Sequence, residues 1–228
     1  VTDFPLYFAT NDLLNQNYGW NEGANKFYQV LAQDVLYKNP MRNCIFLDNH
    51  DLDRFYSVIG EDFSKYKMAI NLLLTQRGIP QLYYGSEILM KNFKNPTDAE
   101  VRRDFPGGWP GDAVNKFTAA GRTAQENEAF GYIKALANFR KTATAIGSGK
   151  LMQYLPKDGV YTYFRYDKNQ TVMVISHTGG QPFRPDWNYL SERTNGFTRL
   201  RNVITGDVIP ITGFEIKPKE SFVFELLK

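Results

Sequence analysis

Two short apolar runs that stop abruptly at polar clusters limit most strongly what this chain can fold into. Cys44-Ile45-Phe46-Leu47 gives way to Asp48-Asn49-His50-Asp51, and Gln81-Leu82-Tyr83-Tyr84 gives way to Gly85-Ser86-Glu87. A strand without polar alternation is covered on both faces, which is the habit of parallel sheets. Parallel neighbours need a crossover, and the intervening segment can supply one. From Ser64 to Gln76 the residues Met68, Ile70, Leu72, Leu73 and Leu74 are apolar, Ser64 can cap the start, and Gly78-Ile79-Pro80 breaks the run. Buried strands that emerge into polar clusters at one end fit the mouth of a (β/α)8 barrel.

The flanks extend this pattern and then end it. Residues 23 to 37 place Phe27, Val30, Leu31, Val35 and Leu36 at helical spacing before Asn39-Pro40 stops the run. A further helix is expected from about Glu126 to Thr142, with Phe130, Ile133, Leu136, Ala137 and Phe139 on one side. Between Glu87 and that helix lies a long polar segment rich in Gly, Pro and Asn, and loops beyond strand ends carry function. After Ile146-Gly147-Ser148-Gly149 the period drops from 3.6 to 2. Val160–Phe164, Thr171–Ile175 and Ser221–Glu225 read as strands, with turns at Asp158-Gly159, Asp167-Lys168-Asn169 and Thr205-Gly206-Asp207. Residues 1–146 are therefore expected to be α/β and residues 147–228 an antiparallel β-domain.

Composition removes several function classes. The 228 residues are 43% hydrophobic and 15% aromatic, enough for a packed core. The net charge of +3, from 27 basic and 24 acidic side chains, forms no basic stripe, so no nucleic-acid partner is expected. The single cysteine, Cys44, allows neither an internal disulfide nor a thiolate zinc site, and its apolar run suggests a buried structural role. No apolar stretch approaches the ~18 residues of a membrane span, so no membrane partner is expected. The opening Val1-Thr2-Asp3-Phe4-Pro5 has neither signal-peptide features nor an initiator Met, which points to a processed or truncated chain. No residue fixes the compartment, and an extracytoplasmic site, periplasmic or secreted, is the expectation carried forward.

The segment Ile45-Phe46-Leu47-Asp48-Asn49-His50-Asp51-Leu52-Asp53-Arg54-Phe55 resembles the fourth conserved region of the alpha-amylase family, which sits at the end of that family's seventh barrel strand. Gly78–Ile88 is similar to the family's eighth strand, one helix further on. Asp104-Phe105-Pro106-Gly107-Gly108-Trp109 and Asp3-Phe4-Pro5-Leu6 look like the neopullulanase and cyclomaltodextrinase branch. The resemblance covers nearly the whole chain. It implies the C-terminal part of a (β/α)8 barrel, strands 6 to 8, followed by an antiparallel Greek-key β-sandwich.

Carried over by position, the resemblance makes Asp51 the catalytic transition-state stabiliser and His50 a hydrogen-bonding partner of the same sugar. Arg54 either reaches substrate or a catalytic carboxylate, or only pairs with a neighbouring acid. Phe105 and Trp109 either stack on glucose rings or bury against the barrel rim. Asp48, Asn49 and Asp53 read as turn-forming and capping groups. The implied partners are alpha-glucan oligosaccharides, with no metal and no organic cofactor. Retaining hydrolysis needs two carboxyl groups about 5 to 5.5 Å apart. The family's Arg-x-Asp nucleophile element and its Glu-bearing acid strand are both missing, and the family gives Glu87 no catalytic task. The chain alone is therefore expected to be inactive, and its open barrel edges to favour self-association. The competing readings are a non-catalytic saccharide-binding or scaffold module, and another (β/α)8 hydrolase or isomerase with a metal requirement. In the β-domain, Tyr161, Tyr163, Tyr166 and Trp187 read mainly as core, with surface sugar binding the minority reading, and His177 reads as structural.

Overall fold

Asp3 opens the chain's first helix, because its Oδ1 accepts the N–H of Leu6 at 3.0 Å and Pro5 supplies a preset first turn. The computed structural model describes residues 1–228. The helix, α1, spans Phe4–Asn15, buries Leu6, Ala9 and Leu13, and has no counterpart among the elements expected from sequence. Helix α2 covers Ala24–Ala32, and the chain then tightens into a 3-10 turn over Gln33–Leu36. Phe27 and Leu31 are buried as expected, but Val35 and Leu36 are 87% and 77% exposed. The inward position in that turn is taken by Asp34, which both Nε and Nη2 of Arg77 engage, at 2.7 and 2.5 Å. Arg77 Nη1 also donates to Asp3 at 2.6 Å, so one buried guanidinium joins three segments distant in sequence.

Strand β1, Cys44–Phe46, runs parallel to β2, Ile79–Gln81, in the register Cys44 to Ile79. On the other side of β1, Thr2 forms a single parallel bridge with Cys44, the stub of a third stave. β2 begins before the expected Gln81–Tyr84 and takes in Pro80, which an edge strand tolerates because it has an N–H to spare. It is also exposed rather than buried, Ile79 by 57%, and Leu82 just after it is 41% exposed, since no strand lies beyond. Cys44 is only half-buried, its Sγ donating to Gln81 Oε1. After the short helix α3, Phe55–Val58, comes α4, Phe63–Thr75. Its cap is Asp62, accepting from Ser64 and Lys65, and not the expected Ser64. Helix α5, Ala124–Thr142, starts with a reciprocal Thr123–Glu126 capping box and buries Ala129, Ile133 and Leu136. Phe130, expected on that apolar side, instead packs under the Arg122 guanidinium.

A one-turn helix α6, Thr144–Gly147, leads into six antiparallel strands. These are β3 Lys150–Gln153, β4 Val160–Tyr166, β5 Thr171–His177, β6 Arg199–Asn202, β7 Val208–Pro210 and β8 Ser221–Leu227, with the short helix α7, Ser191–Thr194, before β6. Their order is β3-β4-β5-β8-β6-β7. Alternation sorts the side chains: Tyr161, Tyr163, Val172, Val174 and Val223 join the core of the α/β part, whereas Phe164, Met173, Ile175 and Phe224 build a second core behind the sheet. Arg165 of β4, wholly buried, donates to the carbonyls of Ile146 and Gly149 at 2.8 and 3.0 Å and so clamps the connection between the parts. Burial pulls its pKa down to about 10. The architecture is the last portion of a (β/α)8 barrel followed by an antiparallel β-sandwich domain.

Candidate functional site

The polar cluster at the end of β1 divides into an inner and an outer half. Asp48 is inner: its Oδ2 accepts from the backbone N–H of Phe55 at 2.9 Å and its Oδ1 from Ser86 Oγ at 3.2 Å. Burial pushes its pKa up to about 6, against the pull of these hydrogen bonds and of Arg54. Asn49 Oδ1 accepts the Asp51 N–H at 2.8 Å, an Asx turn that swings the next two side chains outward. His50 and Asp51 are therefore outer, their side chains 64% and 62% exposed.

Both Asp51 oxygens are engaged. His50 Nε2 lies 3.2 Å from Oδ2, and Arg102 Nη2 lies 2.9 Å from Oδ1. Arg102 also donates through Nε to the His50 carbonyl at 2.8 Å and through Nη2 to Asp98 at 2.9 Å. Arg102 and Asp98 were not singled out from sequence; their only signal was an acid and a base four apart in the loop after β2. Backbone links complete the attachment of that loop, Arg54 N–H to Asn92 O at 3.0 Å and Lys94 N–H to Asp53 Oδ1 at 2.7 Å.

Arg54 does not face outward. It is 1% exposed, with its guanidinium 4.1 Å from the Tyr83 ring centroid and 4.6 Å from that of Tyr84, and its Nη1 donates to the Tyr84 carbonyl. The tyrosine pair at the end of the second stave draws the cation beneath the site, and its Nη2 is left without a partner. Phe105 is half-buried against Phe117, ring centroids 4.4 Å apart, while Trp109 is 72% exposed with its backbone N–H held by Asp112 Oδ2. Gly107 makes that loop possible: its φ is +112°, and a Cβ there would come within 2.6 Å of the Asn115 backbone. No hydrogen bond or ring contact joins Phe105 or Trp109 to His50 or Asp51. In the β-domain, Tyr161 and Tyr163 are fully buried, and so is His177, whose Nδ1 accepts from Gly179 N–H at 3.0 Å while Nε2 faces Gln181 O at 2.6 Å.

A site of this make-up offers an exposed, pre-oriented carboxylate beside an imidazole at the C-terminal end of a barrel strand. Comparison with known proteins gives it a context. The family model described as the alpha-amylase catalytic domain matches residues 1–121, and the cyclo-malto-dextrinase C-terminal domain model matches residues 151–225. The chain belongs to the alpha-amylase family. Among curated alpha-amylase-family relatives, it is 31% identical over 228 residues to a cyclomaltodextrin glucanotransferase of Geobacillus stearothermophilus, covering 96% of this chain and 29% of that protein. It is 26% identical over 235 residues to a beta/alpha-amylase of Paenibacillus polymyxa, covering 97% of this chain and 18% of that protein. The solved alpha-amylase of Geobacillus thermoleovorans, complexed with acarbose, superposes with a TM-score of 0.74 at 21% identity over all of this chain and 48% of that one. AmyP in complex with maltose gives 0.76 at 19% identity, over 99% of this chain and 49% of that one. The chain thus spans less than a third of the length of these curated alpha-amylase-family relatives.

Proposed function

We propose that this chain is part of a retaining glycoside hydrolase that cleaves alpha-glucosidic bonds in starch-, pullulan- or cyclodextrin-type glucans. The cyclo-malto-dextrinase C-terminal match supports the neopullulanase and cyclomaltodextrinase branch within that class. The observation that carries the reading is the Asp51 carboxylate, exposed beyond β1 and held from two sides by His50 and Arg102. Positive charge grows on the sugar ring in a retaining transition state, and hydrogen bonds to ring hydroxyls that tighten there supply several kcal/mol. Asp51 accepts hydrogen bonds from such hydroxyls, His50 bonds the same sugar, and the fixed orientation of the carboxylate spares reorganisation at the moment of reaction. Arg54 contributes from below by holding the Tyr83-Tyr84 strand end, and Trp109 offers an exposed face for stacking on a glucose ring. Residues 1–146 act as barrel and residues 147–228 as the β-domain packed against it.

Asp51 alone cannot be both nucleophile and acid across the separation of about 5 to 5.5 Å that retention requires. The polypeptide of residues 1–228 is therefore expected to release no reducing sugar from maltodextrin. In the full-length gene product, Asp51→Asn should lower kcat by about a hundredfold or more, the scale of losing one transition-state hydrogen-bonding group. Turnover by the 228-residue polypeptide that Asp51→Asn abolishes would overturn the reading of it as catalytically incomplete. An unchanged kcat for Asp51→Asn in the full-length protein would remove Asp51 from the mechanism.

A further inference from the structure

We infer that Asp48 is a positioning residue for Asp51, because it fastens the root of the loop that carries His50 and Asp51 to the end of the neighbouring stave. The inference rests on the retaining-hydrolase reading proposed above and deepens it, since it assigns what keeps Asp51 in place.

Asp48 directly follows Leu47 and is 3% exposed. Its two oxygens serve two separate segments. Oδ2 accepts the backbone N–H of Phe55 at 2.9 Å and so closes the span 48–55 at its root. That N–H is one of the first-turn donors of α3, which has no side-chain cap of its own. Oδ1 accepts from the Ser86 hydroxyl at 3.2 Å, in the turn after β2. Ser86 is itself tied down, because its carbonyl accepts the Tyr66 hydroxyl of α4 at 2.9 Å. From that turn the chain runs on to Arg102, which grips Asp51 from the other side. The root and the lateral support of the Asp51 loop are thus referred to one segment.

A buried carboxylate is an expensive joint, so its use here needs a reason. Desolvation above all lifts its pKa to about 6, with Arg54 favouring the anion and Glu87 opposing it. Tyr7 of α1, Tyr66 of α4 and Tyr83 beyond β2 lie in its field as well, and burial raises the pKa of all three, so at neutral pH they supply no countercharge. What the acid offers is two acceptor oxygens on one short side chain, one for the loop root and one for the next stave. Asparagine offers one acceptor and one donor, and alanine neither. A residue that lowers stability is expected where the geometry of a site requires it. The requirement here is placement, since a misplacement of about 1 Å in a reacting constellation can lower the rate about a hundredfold.

The full-length gene product, assayed on maltodextrin, tests this. Asp48→Ala should lower kcat by about tenfold to a hundredfold with KM changed less than about twofold, because the weakened contacts tighten only in the transition state. Ser86→Ala, which removes the cross-stave bond alone, should lower kcat less, and adding it to Asp48→Ala should lower kcat no further. Asp48→Asn should lower kcat while its melting temperature at pH 7 is unchanged or raised, a combination that loss of structure does not produce. Unaltered kcat in Asp48→Ala overturns the inference, and so does a loss confined to KM. Should Asp48→Ala fail to fold, Asp48→Asn decides, and an unaltered kcat there overturns it. Asp51→Asn run in parallel separates the two claims. If it is inactive while the Asp48 variants are unimpaired, the role of Asp51 stands and the positioning role falls; an unimpaired Asp51→Asn overturns both.

Discussion

Asp48 and Asp51 lie in one tetrapeptide yet face opposite environments, and the consequence is a measurable dependence on pH. Asp48 has a native pKa of about 6 against an ordinary 3.8, because burial disfavours its charge. Between those values the native state binds the proton and the unfolded state does not, so stability falls as pH rises through that window. Below about pH 4 both states are protonated and the penalty is absent; above about pH 6 it is complete, at most about 3 kcal/mol. Asp48→Asn should remove this slope, so that the variant gains on the unmodified chain between pH 4 and pH 7 in urea titrations. Parallel curves for the two would show that Asp48 is not the cause. At this scale the sequence was informative about identity but not about direction. The motif singled out His50 and Asp51, and Asx-type turn chemistry explains why they point outward. Arg54, in the same motif, is buried, because its surroundings are set by tyrosines thirty residues away.

The elements are held in place by pairings that no local pattern announces. Asp3 caps α1, Asp34 turns inward from the 3-10 segment after α2, and Arg77 follows α4; the three meet in one buried network. Arg77→Met should destabilise the chain by about 3 to 5 kcal/mol, since it strands the buried Asp3 carboxylate. A denaturant midpoint within error of the unmodified chain would refute that. Two departures from the periodicity argument likewise have tertiary causes. Helix α2 stops short of Val35 because Asp34 takes the inward position there. The start of β2 before Gln81 is decided by its parallel register with β1, which brings Ile79 opposite Cys44. Elements whose evidence is local were legible from the sequence, among them α4, α5 and the strands β4, β5 and β8. The short strands β3, β6 and β7 were not, because three or four residues carry too little periodicity to stand out.

Across the whole molecule, the incomplete sheet of the barrel part leaves apolar surface uncovered: Phe4, Phe8, Ile79 and Leu82 are 41%, 59%, 57% and 41% exposed. Unpaired strand edges beside such surface invite association. Size-exclusion chromatography of the 228-residue chain should show species heavier than the 26.2 kDa monomer, rising with concentration. A single monomer peak at every concentration would contradict this. By itself the sequence determined the order of α2, β1, α4, α5, β4, β5 and β8, the switch from helical to alternating period after residue 146, and the acid and imidazole at the end of β1. Those features are local, resting on hydrophobic spacing, caps and one contiguous motif. Tertiary structure alone decided that Arg102 reaches back to Asp51, that Arg54 lies beneath two tyrosines, and that Tyr189 rather than Tyr161 or Tyr163 meets solvent. Each of these depends on which distant segments pack together, and packing follows from burying the whole chain's apolar surface at once rather than from any one stretch of it.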